Sequence, residues 1–201
     1  MDHDDWNDRF SGSDYVFGTE PAAFLTRAAP VLPPGARVLC PADGEGRNSA
    51  WLAGQGLKVT AFDVAPAAVE KAWKLDDRLG VTVERNISTL EEWDWSQSFD
   101  AVVGIFFQFL GPEARSEAFD WMAEATRPGG HLLIHGYAPR QVGYGTGGPG
   151  VPENMYTAEI LRDAFPGWEI LTLNDYDADI KEGEGHAGRS ALVDFVARKP
   201  V

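Results

Sequence analysis

The sequence holds a single cysteine, Cys40, among 201 residues. One thiol excludes an internal disulfide and any metal site built from several thiolates of this chain. That scarcity fits a cytoplasmic protein, which is the expected location. Histidine is nearly as rare. The four histidines are scattered, and no His, Asp or Glu spacing resembles a ligand set, so no metal is expected. Positive charge is short: 17 Lys and Arg against 31 Asp and Glu leave a net charge of −14 without any basic cluster. Phosphate backbones and anionic lipid surfaces would be repelled, which argues against nucleic acid and membrane partners. No apolar run approaches the roughly 20 residues of a membrane span. The opening "MDHDDWNDRF" lacks the apolar stretch of a secretory signal. Internal repeats and interdomain linkers are also missing. The expectation is one domain over residues 1–201, large enough for a full core.

What is present is an alternation. The runs "RVLCP" (37–41), "KVTAFD" (58–63), "VTVERN" (81–86), "FDAVVGIFF" (99–107) and "HLLIHGY" (131–137) read as strands. Between them "RNSAWLAGQG", "APAAVEKAWKLDDRLG" and "PEARSEAFDWMAEATRPGG" read as helices, the last ending at an Arg127-Pro128-Gly129-Gly130 turn. Pro66 falls in a first turn, and Gly56 and Gly80 fall at C-terminal stops. A further helix, "TAEILRDAFPG", has Thr157 as its N-cap. The closing runs "WEILTLNDYD" and "SALVDFVARK" read as an antiparallel pair. Apolar strands alternating with helices predict a parallel sheet covered on both faces. The Gly-rich stretch over residues 142–153 is the longest irregular segment and a candidate lid. "EEWDWSQSFD" reads as an exposed loop pinned by Trp93 and Trp95.

The loop "PADGEG" follows the first strand and leads into a helix. In an open parallel sheet, ligands bind beyond the carboxyl ends of the strands. Gly44 and Gly46 allow a sharp turn and close backbone approach, and the helix N-terminus offers unpaired N–H groups to an anion. Asp63 ends the second strand, where an acid accepts from ribose hydroxyls. The same residues also suit a plain βα turn, with Asp63 capping the next helix. A dinucleotide fingerprint would require glycine or alanine at position 49, where Ser49 stands, and no P-loop lysine follows.

The segments "WNDRFSGSDYVFGTEPAAFL", "GEGRNSAWLAGQGLKVTAFDVAP", "RPGGHLLIHGYAPRQ", "TGGP" and "EGEGHAGRSALV" run from end to end of the chain. Together they resemble the class I S-adenosylmethionine-dependent methyltransferases, and most closely the small bacterial tellurite-resistance-type branch. The resemblance implies a three-layer, Rossmann-like α/β fold: seven strands, mostly parallel with the last antiparallel, and helices on both faces. It implies S-adenosyl-L-methionine as cofactor. Gly44 and Gly46 would approach the methionine end, Asp63 would bind the ribose, and Asn86 with Ile87 would lie near the adenine. Cys40, Ala42, Asp43, Asn48, Val64, Ile105 and Tyr15 complete the expected cofactor set. Residues 1–30, with Trp6, Arg9, Phe10, Tyr15 and Phe17, would form a lid or cap.

The chain departs from that branch in places. Cys40 and Ala42 stand where an acid and a glycine are usual, and Asp43 is the nearest substitute for the acid. His135 stands where glutamate is commoner, and Gln108 where histidine is. His186, in a recurrent motif of the branch, is the first candidate for a base or anion contact. Arg189 is a candidate anion clamp by its planar donors, and His135 is a third catalytic candidate. Each also suits a bland role: a solvated loop histidine, a surface ion pair, a strand-end hydrogen bond. Methyl transfer is an in-line displacement of a good leaving group, so alignment and exclusion of water outweigh a dedicated base. The expected activity is methylation of a small molecule: a thiol, a tellurite- or selenite-like oxyanion, or another metabolite. The alternative is a cofactor-binding protein with little or no transferase activity. The expected partner is the small acceptor alone, with the chain a monomer or homodimer.

Overall fold

A computed structural model describes residues 3–183 and 185–201. Its sheet contains β1 (Arg37–Pro41), β2 (Lys58–Asp63), β3 (Glu84–Ile87), β4 (Phe99–Ile105), β5 (Thr126–Tyr137), β6 (Glu169–Lys181) and β7 (Ala187–Arg198). The order is β3-β2-β1-β4-β5-β7-β6. β1 to β5 pair in parallel, and β7 runs antiparallel between β5 and β6. The expected seven-stranded architecture is therefore present. The helices are α1 (His3–Phe10), α2 (Ala23–Ala28), α3 (Arg47–Gly54), α4 (Pro66–Leu79), α5 (Pro112–Ala125) and α6 (Ala158–Ala164).

The period of two along the strands explains the layers. Leu39, Val102, Leu132, Ile134 and Phe195 point to one face, where Phe119 and Met122 of α5 and Leu161 of α6 cover them. Val38, Cys40, Ala61, Val103 and Leu133 point to the other, under Phe24 and Leu25 of α2 and Leu52 of α3. The central strands carry consecutive apolar residues, Val38 to Cys40, Ala101 to Val103 and Leu132 to Ile134, because both faces are buried there. Thr157 caps α6 as expected, its hydroxyl accepting from the Ile160 N–H at 3.2 Å. Trp93 stacks on Phe62 at 4.4 Å and Trp95 on Trp121 at 5.8 Å, which pins the acidic loop to the body.

Some boundaries differ from the sequence reading. The stretch "RPGG" is not a separate turn after α5. It lies inside β5 as a register break, with Phe99 opposite Thr126 and Ala101 opposite His131. β6 and β7 extend farther toward their connecting loop than their apolar cores suggest, because the paired ladder continues past the buried part. The first 30 residues, described from His3 onward, hold two helices. Phe10 of α1 is buried against Ala65 and Ala68 at the start of α4, with Trp6 and Phe17 packed beside it.

The chain runs β1 to β3 outward in one direction, then returns to place β4 on the other side of β1. The carboxyl ends of β1 and β4 therefore form the point where the strand order reverses, which is where open α/β sheets bind ligands.

Candidate functional site

A cavity of about 540 Å³ opens at that point, within the range of small-molecule sites. Its floor is the loop after β1. Gly44 is held across the sheet by its N–H, which donates to Asp63 Oδ2 at 2.8 Å. The other Asp63 oxygen accepts from the Ala65 N–H at 2.9 Å. Burial raises the Asp63 carboxyl, opposed by these backbone bonds. A Cβ on Gly44 would meet only the Phe10 ring edge at 3.7 Å, so the backbone here is open to a ligand. Gly46 serves packing instead. At φ +86°, a Cβ there would lie 2.7 Å from Ala72 Cβ and from an Arg85 nitrogen.

Ala42 takes φ +48°, the conformation that glycine adopts without strain. Cys40 is packed in the apolar layer under α2 and α3, and burial pushes its thiol up. Asp43 is buried and held by Arg85 at 2.9 Å and by the Ser49 hydroxyl. Arg85 in turn is gripped by Asp76 at 2.6 and 2.8 Å. Burial raises the Asp43 carboxyl to about 6 against the pull of Arg85.

The polar residues of "GEGRN" tie down the N-terminal segment. Glu45 accepts from the Val16 and Phe17 N–H groups at 3.1 and 3.2 Å and from Lys71 at 2.9 Å. Arg47 pairs with Glu182 at 2.9 Å and donates to the Glu20 carbonyl. Asn48 Oδ1 accepts from the Ala22 N–H at 2.9 Å. The segment then lies against the β6–β7 loop, where Gly183 and Gly185 leave no room for a Cβ beside Phe17. The result is a strap across the cavity.

The opposite wall is aromatic. His186 is stacked between Phe17 at 4.5 Å and Phe106 at 3.9 Å, and its Nδ1 is 2.7 Å from the Tyr137 hydroxyl. Burial, helped by the positive charge of Arg47, pushes His186 down to about 3, so the ring is neutral at pH 7. Phe106 is held at φ +54° by its N–H bond to the His135 carbonyl at 2.8 Å. Gln108 braces the wall with both amide atoms, accepting from the Tyr137 N–H at 2.6 Å and donating to the Tyr137 carbonyl at 2.8 Å. Gly147, Gly148, Pro149 and Val151 of the late Gly-rich loop close the rim.

Of the sequence-derived residues, Ala42, Asp43, Gly44, Asn48, Asp63, Val64, Ile105 and His186 share this cavity. Cys40, Gly46, Asn86, Ile87, Tyr15, His135 and Arg189 do not line it. The Tyr15 hydroxyl donates to the Lys71 carbonyl at 2.9 Å. The Asn86 amide nitrogen is buried without a partner among the described residues, and Ile87 is exposed. His135 lies behind Phe106, its Nδ1 2.7 Å from Asp194, which Arg27 and Tyr176 also hold. Arg189 is on the surface, 3.6 Å from Asp179. Arg140 and Tyr144 meet Asp177 away from the cavity. The sequence reading did not reach Glu45 or Arg47. The available signal was two opposite charges inside a glycine loop, which cannot be buried unless distant partners meet them. Among the described residues no group of His, Cys, Asp and Glu can hold a metal ion, and no helix is long and apolar enough to cross a membrane.

Comparison with known proteins agrees with this geometry. Residues 38–130 match the family model described as "Methyltransferase domain". A thiopurine S-methyltransferase of Bordetella pertussis is 36% identical over 80 residues, which are 38% of this chain and 36% of that protein. The matched stretch thus spans about a third of that relative's length. TehB from Haemophilus influenzae has a similar structure, with a TM-score of 0.71 at 19% identity over 98% of this chain and 66% of that one. The N-methyltransferase NodS from Bradyrhizobium japonicum, solved with S-adenosyl-L-homocysteine, gives 0.70 at 15% identity over 99% and 98%. Residues 38–130, just under half of the chain, are therefore similar to the methyltransferase-domain family, and the chain as a whole shares the Rossmann-like α/β fold of these solved neighbours.

Proposed function

We propose that this chain is a methyltransferase that binds S-adenosyl-L-methionine and methylates a small molecule. The observation that carries the reading is the cavity at the carboxyl ends of β1, β2 and β4, with the open Gly44 backbone and the Asp63 carboxylate on one side. Ala42, Asp43, Gly44, Asn48 and Ile105 would hold the methionine end, and Asp63 with Val64 the ribose. Asn86 and Ile87, which do not line the cavity but end β3 beside Asp63, would flank the adenine. The bound cofactor supplies an electrophilic methyl on sulfur. The protein's own part is to align the acceptor and exclude water. Glu45, Arg47 and Asn48 hold the strap for that purpose, so residues 1–30 act as a cap within one domain.

His186 is the catalytic-side residue in the cavity. A ring neutral down to about pH 3 is a weak base, so the acceptor is one that arrives deprotonated. Thiolates and selenite- or tellurite-like oxyanions meet that condition, and the name of the matched relatives points to sulfur as the acceptor atom. The acceptor is the expected partner, and a monomer or homodimer suffices for it. The test is to incubate the protein with S-adenosyl-L-methionine and a panel of thiols, selenite and tellurite, and to quantify S-adenosyl-L-homocysteine. Product with at least one acceptor supports the reading. Cofactor binding without product across the panel would favour a binding protein lacking transferase activity.

A further inference from the structure

We propose that Arg9 selects the methyl acceptor by charge, making the acceptor half of the cavity specific for a flat, apolar molecule that carries a negative group. This rests on the methyltransferase reading of the same cavity. Other charged residues deep in that cavity are already satisfied within the chain. Asp43 is paired with Arg85, Glu45 with Lys71 and Arg47 with Glu182, each at 2.9 Å, and Asp63 accepts two backbone N–H groups. Arg9 lines the cavity too, yet no carboxylate among the described residues pairs with it. In a chain with 31 acidic residues against 17 basic ones, partners for an arginine are plentiful. An arginine at a cavity with no carboxylate partner among the described residues is therefore available to a ligand.

Its position is fixed by stacking. The guanidinium carbon is 5.3 Å from the Trp6 ring centre and 5.1 Å from that of Phe17. Aromatic contacts on this scale orient the planar cation without neutralising it and leave its edge donors free for an anion. Phe17 is the ring that stacks on His186, which stacks in turn on Phe106. Arg9 thus belongs to the aromatic wall around His186. That wall offers apolar faces for a flat body, and its histidine, neutral at pH 7, supplies no positive charge of its own.

The experiment compares 4-mercaptobenzoate, 4-mercaptobenzamide and selenite as acceptor probes on the wild type, Arg9→Gln and Arg9→Lys. Affinity is read by calorimetry on the S-adenosyl-L-homocysteine complex, and turnover by product release. The wild type is expected to prefer the carboxylate probe over the amide by about tenfold or more, the scale of one charge-assisted hydrogen bond. Arg9→Gln should lose that preference through KM with kcat little changed, and should weaken selenite in parallel. Arg9→Lys should recover part of it. Affinity for the two cofactor forms should stay within about twofold. A wild type without preference for the anionic probes overturns the proposal, as does a preference that survives in Arg9→Gln. Loss of cofactor affinity in Arg9→Gln also overturns it, placing the guanidinium on the methionine carboxylate instead. A wild type that binds neither cofactor form refutes the underlying methyltransferase reading, an outcome visible before any acceptor is added.

Discussion

Replacing His186 by glutamine should make the protein less sensitive to acid. The imidazole is 8% exposed, stacked between two phenyl rings. Burial first, then Arg47, His135 and Arg9, push it from 6.5 to about 3. Below pH 6.5 the unfolded chain binds a proton there that the folded chain refuses. The depressed value therefore contributes stability that is complete above about 6.5 and is lost as pH falls toward 3. At 1.36 kcal/mol for each pH unit below the unfolded value, the loss is roughly 2 kcal/mol by pH 5. Asp43 acts in the opposite sense. Its carboxyl is raised from 3.8 to about 6, so its ionisation costs stability as pH rises through that window. The wild-type profile mixes the two, and the difference between wild type and His186→Gln isolates the histidine. Urea unfolding at pH 7 and pH 5 should show the wild type losing roughly 2 kcal/mol more than the variant. Parallel losses would mean that the folded imidazole takes a proton near its ordinary value and is not enclosed by the rings.

Gly46→Ala should destabilise by roughly 3 kcal/mol, since its Cβ meets Ala72 and Arg85 at a positive φ; an unchanged denaturant midpoint would contradict the packing. Ala42→Gly should stabilise by up to about 1 kcal/mol, the left-handed strain being relieved and partly offset by unfolded-state entropy. A thermal melt that falls clearly below wild type would argue against that strain. Glu45→Gln leaves the Lys71 ammonium buried beside a neutral amide and should cost about 3 kcal/mol. It should also speed hydrogen exchange at the Val16 and Phe17 amides, and unchanged exchange there would show that the strap is held by other contacts.

The layers of the fold were legible because the strand and helix periods are unambiguous in "KVTAFD" and "AVEKAWKLDDRL", and the closing hairpin followed from two consecutive strand patterns. The start of β5 was not, because "RPGG" has the composition of a turn even where it forms a bulge within a ladder. Gly44 and Asp63 were readable from their spacing as neighbours at the carboxyl ends of β1 and β2, where they meet and line the cavity. The strap was readable only as a candidate lid. Its clamps join Glu45 to Val16 and Arg47 to Glu182, pairs that no local pattern connects. His135 shows the limit from the other side. A histidine at a strand end reads as a catalytic candidate, yet Phe106 turns at a positive φ and separates it from the cavity.

The most direct test of the account is calorimetric titration of the purified protein with S-adenosyl-L-methionine and S-adenosyl-L-homocysteine, with NAD as control. Micromolar binding of the first two and none of NAD is the predicted result, with Cys40, Pro41 and Ala42 leaving the cofactor site intact. Absence of binding to either, or binding of NAD in their place, would contradict the assignment of the cavity.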